Sequence, residues 1–359
     1  MSSPAGAVQI GVLVVVLAVA AGLLVTLSAR RHRTLSVPAA EPSGDLGGEH
    51  PPFAAVVANP TKVDDVGARQ RWMRTASADL GWDPPMWLET TPADIGVGQT
   101  RAAVEAGAAV VIAYGGDGTV RAVASTLAGT GVPLALLPAG TGNLLARNLN
   151  VAVTDLGDAL RTALSWSERK VDVGRVEIDL SGEDHAPRSE TFLVMAGLGF
   201  DAEVMASVGP RLKERVGWWA YVVTGLQLMR GRKTKVVLRM DDREPVHRNM
   251  RSVIVGNCGE LTGGVRLMPD AKLDDGWLDV VVVSAGGVVG WAAVIGAVLT
   301  RSRRGHPVVE HFRCREIEIR AETPQQVQLD GDPAGEARVL RARVDPLALV
   351  VRVAPLGSA

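Results

Sequence analysis

Cysteine and histidine are scarce in this chain of 359 residues, which holds two cysteines and six histidines. Cys258 and Cys314 form neither a disulfide framework nor a zinc-ligand spacing, so we interpret them as core residues in a reducing compartment. The histidines are scattered without a ligand pattern, which argues against a histidine-based metal site. Excess charge is lacking too: the formal net charge is −1, which excludes a global field for binding nucleic acid.

Apolar residues and glycine are plentiful. The chain is 47% hydrophobic and holds 40 glycines, enough for a sizeable core in a loop-rich α/β or β protein. Its length predicts one large domain or two ordinary ones.

One long run, residues 8–27, contains no charged residue and is followed by Arg30, Arg31 and Arg33. Twenty helical residues span about 30 Å, the thickness of a bilayer's hydrocarbon core. The run predicts a transmembrane helix over 8–28, and the positive-inside rule predicts a single-pass protein of the cell membrane, with its N-terminus outside and its catalytic part in the cytoplasm. The alternative is a cleaved signal peptide, or an apolar start that does not span a membrane. Residues 29–52, with several prolines and a Ser/Gly-rich stretch, predict a flexible linker.

Strands and helices alternate over the next part of the chain. The pattern predicts strands at 53–58, 86–89, 109–113 and 133–137, with helices at 64–80 and 98–107. This alternation is typical of an α/β domain with a doubly wound parallel sheet, which we place at 53–165.

From about residue 165 the pattern changes to strand-like runs separated by turns. The runs are 171–180, 191–196, 235–240, 251–257, 277–283, 315–320, 325–330 and 347–353. They predict a mostly antiparallel, β-rich domain at 166–325, followed by a C-terminal segment at 326–359. Residues 208–231 and 286–300 predict helices, the second too short to span a bilayer. The first is basic and holds Trp218 and Trp219, which fits either a helix on an anionic membrane surface or a solvated helix with its aromatics in the core.

Three polar loops follow predicted parallel strands. Asn59-Pro60 follows the first, Gly-Gly-Asp-Gly-Thr at 115–119 the third, and Pro-Ala-Gly-Thr-Gly-Asn at 138–143 the fourth. Ligands bind at the carboxyl ends of such strands, and glycines let backbone N–H groups approach an anion. The loop at 115–119 is neither a P-loop nor a dinucleotide fingerprint, and a tight turn without a ligand is its alternative reading. Asn143 could serve only as the cap of the next helix.

Taken in order, these motifs resemble the diacylglycerol kinase catalytic domain, shared by bacterial diacylglycerol kinases, sphingosine kinases and ceramide kinases. The segments 269–279 and 328–332 resemble that family's Asp-Gly-x-Leu-Asp and Asp-Gly-Glu segments, so the resemblance covers roughly residues 53–353. It implies a nucleotide-binding α/β domain, then a β-sandwich-like domain, and a final strand that returns toward the first domain. It also implies transfer of the γ-phosphoryl group of ATP to a lipid hydroxyl with Mg²⁺.

The resemblance also implies roles for particular residues. The residues implied for ATP binding are Asn59, Pro60, Thr61, Lys62, Val63, Thr90, Thr91, Gly115, Gly116, Asp117, Gly118, Thr119, Val120, Gly140, Thr141 and Asn143. Between Thr90 and Thr91 the sequence does not choose. Asp117 is implied as catalytic, through a metal or the acceptor hydroxyl. A second, structural Mg²⁺ is implied at the Lys272 carbonyl, the Asp275 carboxylate and the Trp277 carbonyl, where Asp-Gly alternatively predicts a hairpin turn.

The chain departs from the family pattern at Asp332, where a glutamate is usual. Asp330 and Asp332 are therefore both candidates for the catalytic acid and base.

The sequence thus predicts a membrane-anchored lipid kinase that phosphorylates diacylglycerol, with a lipid and a membrane surface as partners and no nucleic acid; a homodimer stays open. Alternatives are a kinase for a sphingoid base, ceramide or glycolipid, and a non-catalytic regulator that binds lipid or nucleotide. A nicotinamide-nucleotide kinase shares the Gly-Gly-Asp-Gly loop, but the apolar run and the loop at 138–143 argue against it.

Overall fold

The computed structural model describes residues 51–182, 187–199, 233–261, 265–266, 268–284 and 309–354. All of them belong to one compact unit, Gly44–Gly357.

The first half contains four parallel strands in the order β4-β3-β1-β2. The strands are β1 Phe53–Ala58, β2 Asp83–Glu89, β3 Val110–Gly115 and β4 Leu134–Pro138. The helices between and after them are α1 Val66–Asp79, α2 Val97–Glu105, α3 Asp117–Leu127, α4 Leu144–Asn148 and α5 Leu156–Leu164. Because the strands are parallel, the loops after β1, β3 and β4 all leave from one edge of the sheet.

Local sequence explains several of these elements. Strand β3 is buried along its whole length, as its run of apolar residues predicts for a strand covered on both faces. Helix α1 begins where Asp65 accepts a hydrogen bond from the Ala68 amide at 2.8 Å. Helix α5 begins in the same way at Asp155, which accepts from the Asp158 amide at 2.9 Å. Both are side-chain caps that satisfy amides at a helix N-terminus.

The second half is dominated by antiparallel strands. They are β5 Glu168–Asp179, β6 Arg188–Phe192, β7 Met195–Leu198, β8 Thr234–Met240, β9 Val246–Met250, β10 Ser252–Gly256, β11 Glu260–Leu261, β12 Val265–Arg266, β13 Leu278–Val283, β14 Val309–Cys314, β15 Glu316–Leu329 and β16 Asp332–Arg352. In the large sheet the order β14-β13-β10-β7-β15-β16 continues into the parallel strands through β4, while β11 and β12 pair with each other.

Strand β16 is 21 residues long and connects the two halves of the sheet. It pairs antiparallel with β15 and β5, and near its end Val351 pairs in parallel with Leu134 of β4. Its beginning follows the Asp330-Gly331 turn, where Asp330 has φ of 50° and Gly331 of 91°. One strand therefore joins the acidic turn at 330–332 to the edge of the parallel sheet.

The apolar residues gather in separate cores. One surrounds the parallel sheet and includes Ile112, Leu137 and Leu160. A second lies among the antiparallel strands and includes Phe192 and Leu340. Two main cores agree with a two-domain fold, an α/β domain followed by a β-sandwich-like domain. Cys258 and Cys314 are both buried and free, in agreement with the prediction that they are core residues.

Several predicted elements differ in extent from the observed ones. The predicted runs 315–320 and 325–330 are one strand, β15, whose register shifts between Arg320 and Gln325. The predicted run 191–196 is divided between β6 and β7, because the amides of residues 193–195 turn toward the Asp330 carboxylate. The helices predicted at 208–231 and 286–300 lie outside the described residues.

The predicted membrane anchor requires a correction. Within the described ranges, no helix is both long and apolar enough to cross a bilayer. The predicted helix at 8–28 and nearly all of the predicted linker lie outside those ranges. The predicted localisation, a single-pass protein of the cell membrane, is therefore wrong and is withdrawn.

Candidate active site

The loop after β1 is held by Asn59. Its side chain accepts hydrogen bonds from the Thr61 amide at 3.0 Å and the Thr61 hydroxyl at 2.8 Å, which shapes the 3₁₀ turn Pro60–Lys62. The Asn59 amide donates to the Tyr114 carbonyl at 2.9 Å, so this loop lies beside the end of β3. Thr61 and Lys62 are exposed and can meet a ligand, whereas Val63 is buried and packs in the core.

The two threonines after β2 differ in environment. Thr90 is buried, and its amide donates to the Ala58 carbonyl at 2.8 Å beside Asn59. Thr91 is exposed, and its hydroxyl accepts from the Asp94 amide at 3.1 Å. Thr91 is therefore the one of the pair whose side chain is open to solvent.

Asp94 was not singled out from the sequence. Its carboxylate accepts from the amides of Gly96, Val97 and Gly98 at 2.8–3.0 Å, and these bonds lower its pKa. In the sequence, Asp94 lies shortly before Gly96 and an amphipathic segment, a pattern that is typical of a helix N-terminus.

The glycine-rich loop connects β3 to α3. Gly116 is the N-cap of α3 and provides no side-chain cap, which leaves the first amides of the helix to other partners. A methyl group at Gly115 would lie 2.7 Å from the Thr119 hydroxyl, so this position has room only for glycine. Thr119 and Val120 are buried and hold the first turn in the core. An uncapped helix N-terminus preceded by glycines suits the phosphates of a nucleotide.

The loop after β4 packs directly on the first one. A methyl group at Gly140 would lie 2.7 Å from Gly116 Cα, so the two backbones touch at glycines. Asn143 adopts a left-handed conformation with φ of 48°, and its side chain accepts from the Gly140 amide at 3.0 Å and donates to the Gly140 carbonyl at 2.7 Å. Asn143 thus closes its own loop and makes no side-chain cap to α4. Thr141 is exposed at the tip of the loop.

Asp117 joins these two loops. Its carboxylate accepts from the Asn143 amide at 2.9 Å and from the Leu144 amide at 2.6 Å. Burial raises the pKa of Asp117 to about 6; the bonds from Leu144 and Asn143 oppose the rise, and the charges of Asp330 and Asp332 add to it. Both carboxylate oxygens of Asp117 thus accept hydrogen bonds from backbone amides. Asp117 therefore holds the two loops together and also contributes negative charge to the site.

The acidic residues at 330 and 332 have different environments. Asp330 is buried, and its carboxylate accepts from the amides of Leu193, Val194 and Met195 at 2.8–3.2 Å. Burial raises the pKa of Asp330, while Arg121 and those amides oppose the rise. The side chain of Asp332 is 50% exposed, and a methyl group at Gly118 would lie 3.3 Å from Asp332 Oδ2. Of the two candidates, Asp332 is the carboxylate that faces the glycine-rich loop.

Arg121 is a second residue that the sequence did not single out. It donates to the Leu329 carbonyl at 2.8 Å and to Asp332 Oδ2 at 3.2 Å, and Nη1 lies 3.7 Å from Asp330 Oδ2. These partners are more than 200 residues away in sequence, so no local pattern could have revealed them.

The implied metal ligands form a separate group in the turn before β13. Asp275 accepts from the Trp277 amide at 3.1 Å and forms an ion pair with Arg313, whose guanidinium also stacks on the Trp277 ring at 5.4 Å. Asp172 holds this turn by accepting from the Gly276 amide at 2.7 Å, and it accepts from the Leu347 amide of β16 at the same distance. One carboxylate with carbonyl oxygens suits Mg²⁺ by donor type, but a metal here would compete with Arg313. Among the described residues, no group of three or more His, Cys, Asp or Glu side chains could hold a metal.

Comparison with known proteins gives matches over both halves of the chain. The diacylglycerol kinase catalytic domain matches residues 85–176, and the YegS C-terminal NAD kinase beta sandwich-like domain matches residues 194–353. A "Probable lipid kinase YegS-like" of Pseudomonas aeruginosa is 33% identical over 265 residues, which are 71% of this chain and 80% of that protein. A "Diacylglycerol kinase" of Staphylococcus saprophyticus is 28% identical over 63% of this chain and 71% of its own.

Solved structures agree in fold. The crystal structure of a putative diacylglycerol kinase from Bacillus anthracis has a TM-score of 0.68 at 21% identity, over 87% of this chain and 98% of its own. The family implies use of ATP, and the uncapped, glycine-lined edge of the sheet fits a nucleotide's phosphates. The chain belongs to the lipid kinase family that is defined by the diacylglycerol kinase catalytic domain.

Proposed function

We propose that this protein transfers the γ-phosphoryl group of ATP, with Mg²⁺, to the hydroxyl of a membrane lipid, and that the lipid is diacylglycerol, which becomes phosphatidate. The observation that carries the proposal is the position of Asp332. Its half-exposed carboxylate lies over Gly118 of the glycine-rich loop, on a turn from the other half of the chain. Transfer to an alcohol needs a carboxylate within reach of both the hydroxyl and the phosphate site.

The chain's own residues account for binding and orientation. The N-terminus of α3, which has no side-chain cap, would receive the phosphates. Asp117 keeps the loop at 140–143 packed beside it. The exposed side chains of Thr61, Lys62, Thr91 and Thr141 provide polar contacts around the nucleotide. Predicted ligands Val63, Thr90, Thr119 and Val120 are buried, so they contribute through backbone and packing.

Asp332 accepts the proton of the lipid hydroxyl while the hydroxyl oxygen forms a bond to the γ-phosphorus. ADP leaves with the electron pair of the broken bond, and no protein group becomes phosphorylated. Asp330 is engaged by three amides and holds the turn on which Asp332 stands. Mg²⁺, when bound, neutralises charge on the transferring phosphoryl group. The second, structural Mg²⁺ would be held by the Lys272 carbonyl, the Asp275 carboxylate and the Trp277 carbonyl.

The partners follow from the acceptor. A lipid alcohol resides in a bilayer, so the protein must contact a membrane surface during turnover. The net charge of −1 gives no attraction to nucleic acid. A homodimer is kept as a prediction that sedimentation of the purified protein would test.

The experiment uses the full-length chain with ³²P-labelled ATP and diacylglycerol in mixed micelles. The unaltered protein should label diacylglycerol, and Asp332→Asn should lower kcat by about 10²–10⁴-fold, the usual contribution of a general base. Glu336→Gln, an exposed change four residues along β16, is the matched control and should keep full activity. If the unaltered protein labels no lipid alcohol, the proposed kinase activity is refuted.

Another lipid alcohol is kept as the alternative acceptor. The Pseudomonas relative, which is more similar in sequence than the staphylococcal diacylglycerol kinase, is named only as a lipid kinase. A panel that adds a sphingoid base, ceramide and a glycolipid distinguishes these acceptors. Labelling of one of them, with diacylglycerol inert, would select that lipid. Binding of ATP without turnover on any acceptor would instead favour a non-catalytic regulator.

A further inference from the structure

Arg121 joins the helix of the glycine-rich loop to the turn that carries both acidic residues. It lies on α3, and its guanidinium meets the Leu329 carbonyl, Asp330 and Asp332 together, at 2.8, 3.7 and 3.2 Å. The Arg121 side chain is 16% exposed, so water does not fully screen its charge.

The contacts made by Arg121 require the planar, multiply donating side chain of an arginine. A guanidinium presents several N–H donors in a rigid plane, so it can fix the positions of several oxygens at once. Here one nitrogen holds the Leu329 carbonyl and the other holds Asp332 Oδ2. The anchored carbonyl immediately precedes the turn, so the arginine sets both where the turn lies and where the Asp332 carboxylate points.

Asp332 needs such a contact because its side chain is short and half-exposed, so the position of its carboxylate depends on where the turn lies and on the partner that holds it. We infer that Arg121 is the positioning residue that holds Asp332 over Gly118 in the orientation from which it accepts the proton of the lipid hydroxyl. This inference rests on the proposed function.

The contacts around Asp332 make the inference testable by kinetics. Among the described residues, Arg121 from α3 is the cation in contact with Asp332 Oδ2. Removing the guanidinium takes away the groups that fix the turn and the carboxylate, so turnover should fall more than nucleotide binding does.

The experiment compares Arg121→Gln, Arg121→Lys and a control, Arg175→Gln, in the full-length chain. Arg175 pairs with Asp345 at 2.8 Å with similar burial, on strands β5 and β16. We expect Arg121→Gln to lower kcat about 10–100-fold, with KM for ATP changed less than about threefold. Arg121→Lys should recover part of kcat, and Arg175→Gln should leave both constants unchanged.

Two further measurements separate this inference from the proposed function. Added to Asp332→Asn, the Arg121→Gln change should cost little more activity, because residues that act through one another are not additive. The ¹³C carboxyl resonance of Asp332, assigned by its loss in Asp332→Asn, should shift in Arg121→Gln and stay in place in Arg175→Gln. An active enzyme whose kcat is unchanged by Arg121→Gln overturns the inference. An unaltered protein that is inactive on every lipid refutes the function, and the resonance still shows whether Arg121 governs Asp332.

Discussion

The carboxylate of Asp117 accepts the amide hydrogen of Leu144 at 2.6 Å, across 27 residues of sequence. Together with the bond from Asn143, this contact makes one rigid unit of the two glycine loops at the edge of the parallel sheet. Asp117, which the resemblance implies as a catalytic residue, therefore also holds the two loops together. This relationship has a consequence for stability that depends on pH.

The first prediction concerns the ionisation of Asp117. Burial raises its pKa from 3.8 to about 6, so the folded protein holds this proton more tightly than the unfolded chain. The stabilising contribution is complete below pH 4 and is lost as the pH rises to about 6. Between pH 4 and pH 7, the stability advantage of the unaltered protein over Asp117→Asn should shrink by about 2 kcal/mol. Urea unfolding of both proteins at each pH measures this, and a difference that does not vary with pH would contradict it.

The second prediction separates Asp330 from Asp332. Asp330→Ala leaves three amides, two of them buried, without an acceptor, so it should lower the free energy of unfolding by at least about 3 kcal/mol. Asp332→Ala removes one half-exposed ion-pair partner and should cost no more than about 1 kcal/mol, while it removes activity. Denaturant unfolding of the two variants side by side checks the order. Equal destabilisation would show that Asp330 is not the anchor of this turn.

The third prediction tests the packing of the two loops. Gly140→Ala would place a methyl group 2.7 Å from Gly116 Cα and 3.0 Å from Asn143 Oδ1, so the loops must separate. KM for ATP should rise about tenfold or more, since small displacements of binding groups are costly. Gly67→Ala is the control, because a methyl group there meets only side-chain atoms at van der Waals distance, Arg71 Nη1 at 3.4 Å and Asp65 Oδ1 at 3.6 Å. It should leave KM unchanged and stabilise the helix by up to about 1 kcal/mol. Unchanged nucleotide kinetics in Gly140→Ala would argue against a phosphate site between these loops.

The fourth prediction concerns Mg²⁺ at Asp275. Arg313 forms an ion pair with the Asp275 carboxylate, so removing the guanidinium should favour binding of a metal cation to the same oxygens. In Arg313→Gln, added Mg²⁺ should raise Tm more than in the unaltered protein, with a gain of up to about 2.7 kcal/mol at a hundredfold excess over Kd.

Asp275→Asn is the matched variant for that experiment, and it should abolish the effect of Mg²⁺ on Tm. Ca²⁺ titrated in parallel tests whether the site prefers the smaller ion. If Mg²⁺ stabilises Asp275→Asn as much as the unaltered protein, the predicted ligand set at this turn is incorrect.

Much of the α/β half could be predicted because its signals are local. Apolar runs followed by glycine or asparagine mark strands β1, β3 and β4 and the loops after them, and parallel pairing brings such loops to one edge. The strands of the β-rich half could be predicted less well from the sequence. A register shift joins two predicted runs into β15, and a turn at residues 193–194 divides one predicted run into β6 and β7. Both features depend on contacts with distant strands.

The sequence by itself determined the family, the glycine-rich loops and the acidic residues available to the site, because these reside in short motifs whose order is preserved. Only the tertiary structure decided what each acid does. Asp330 and Asp332 are two residues apart. Asp330 is buried and accepts hydrogen bonds from three amides, whereas Asp332 faces Gly118 beside Arg121. Burial and charge neighbours come from segments far away in the chain, so a carboxylate's role is set by folding and cannot be read from its motif.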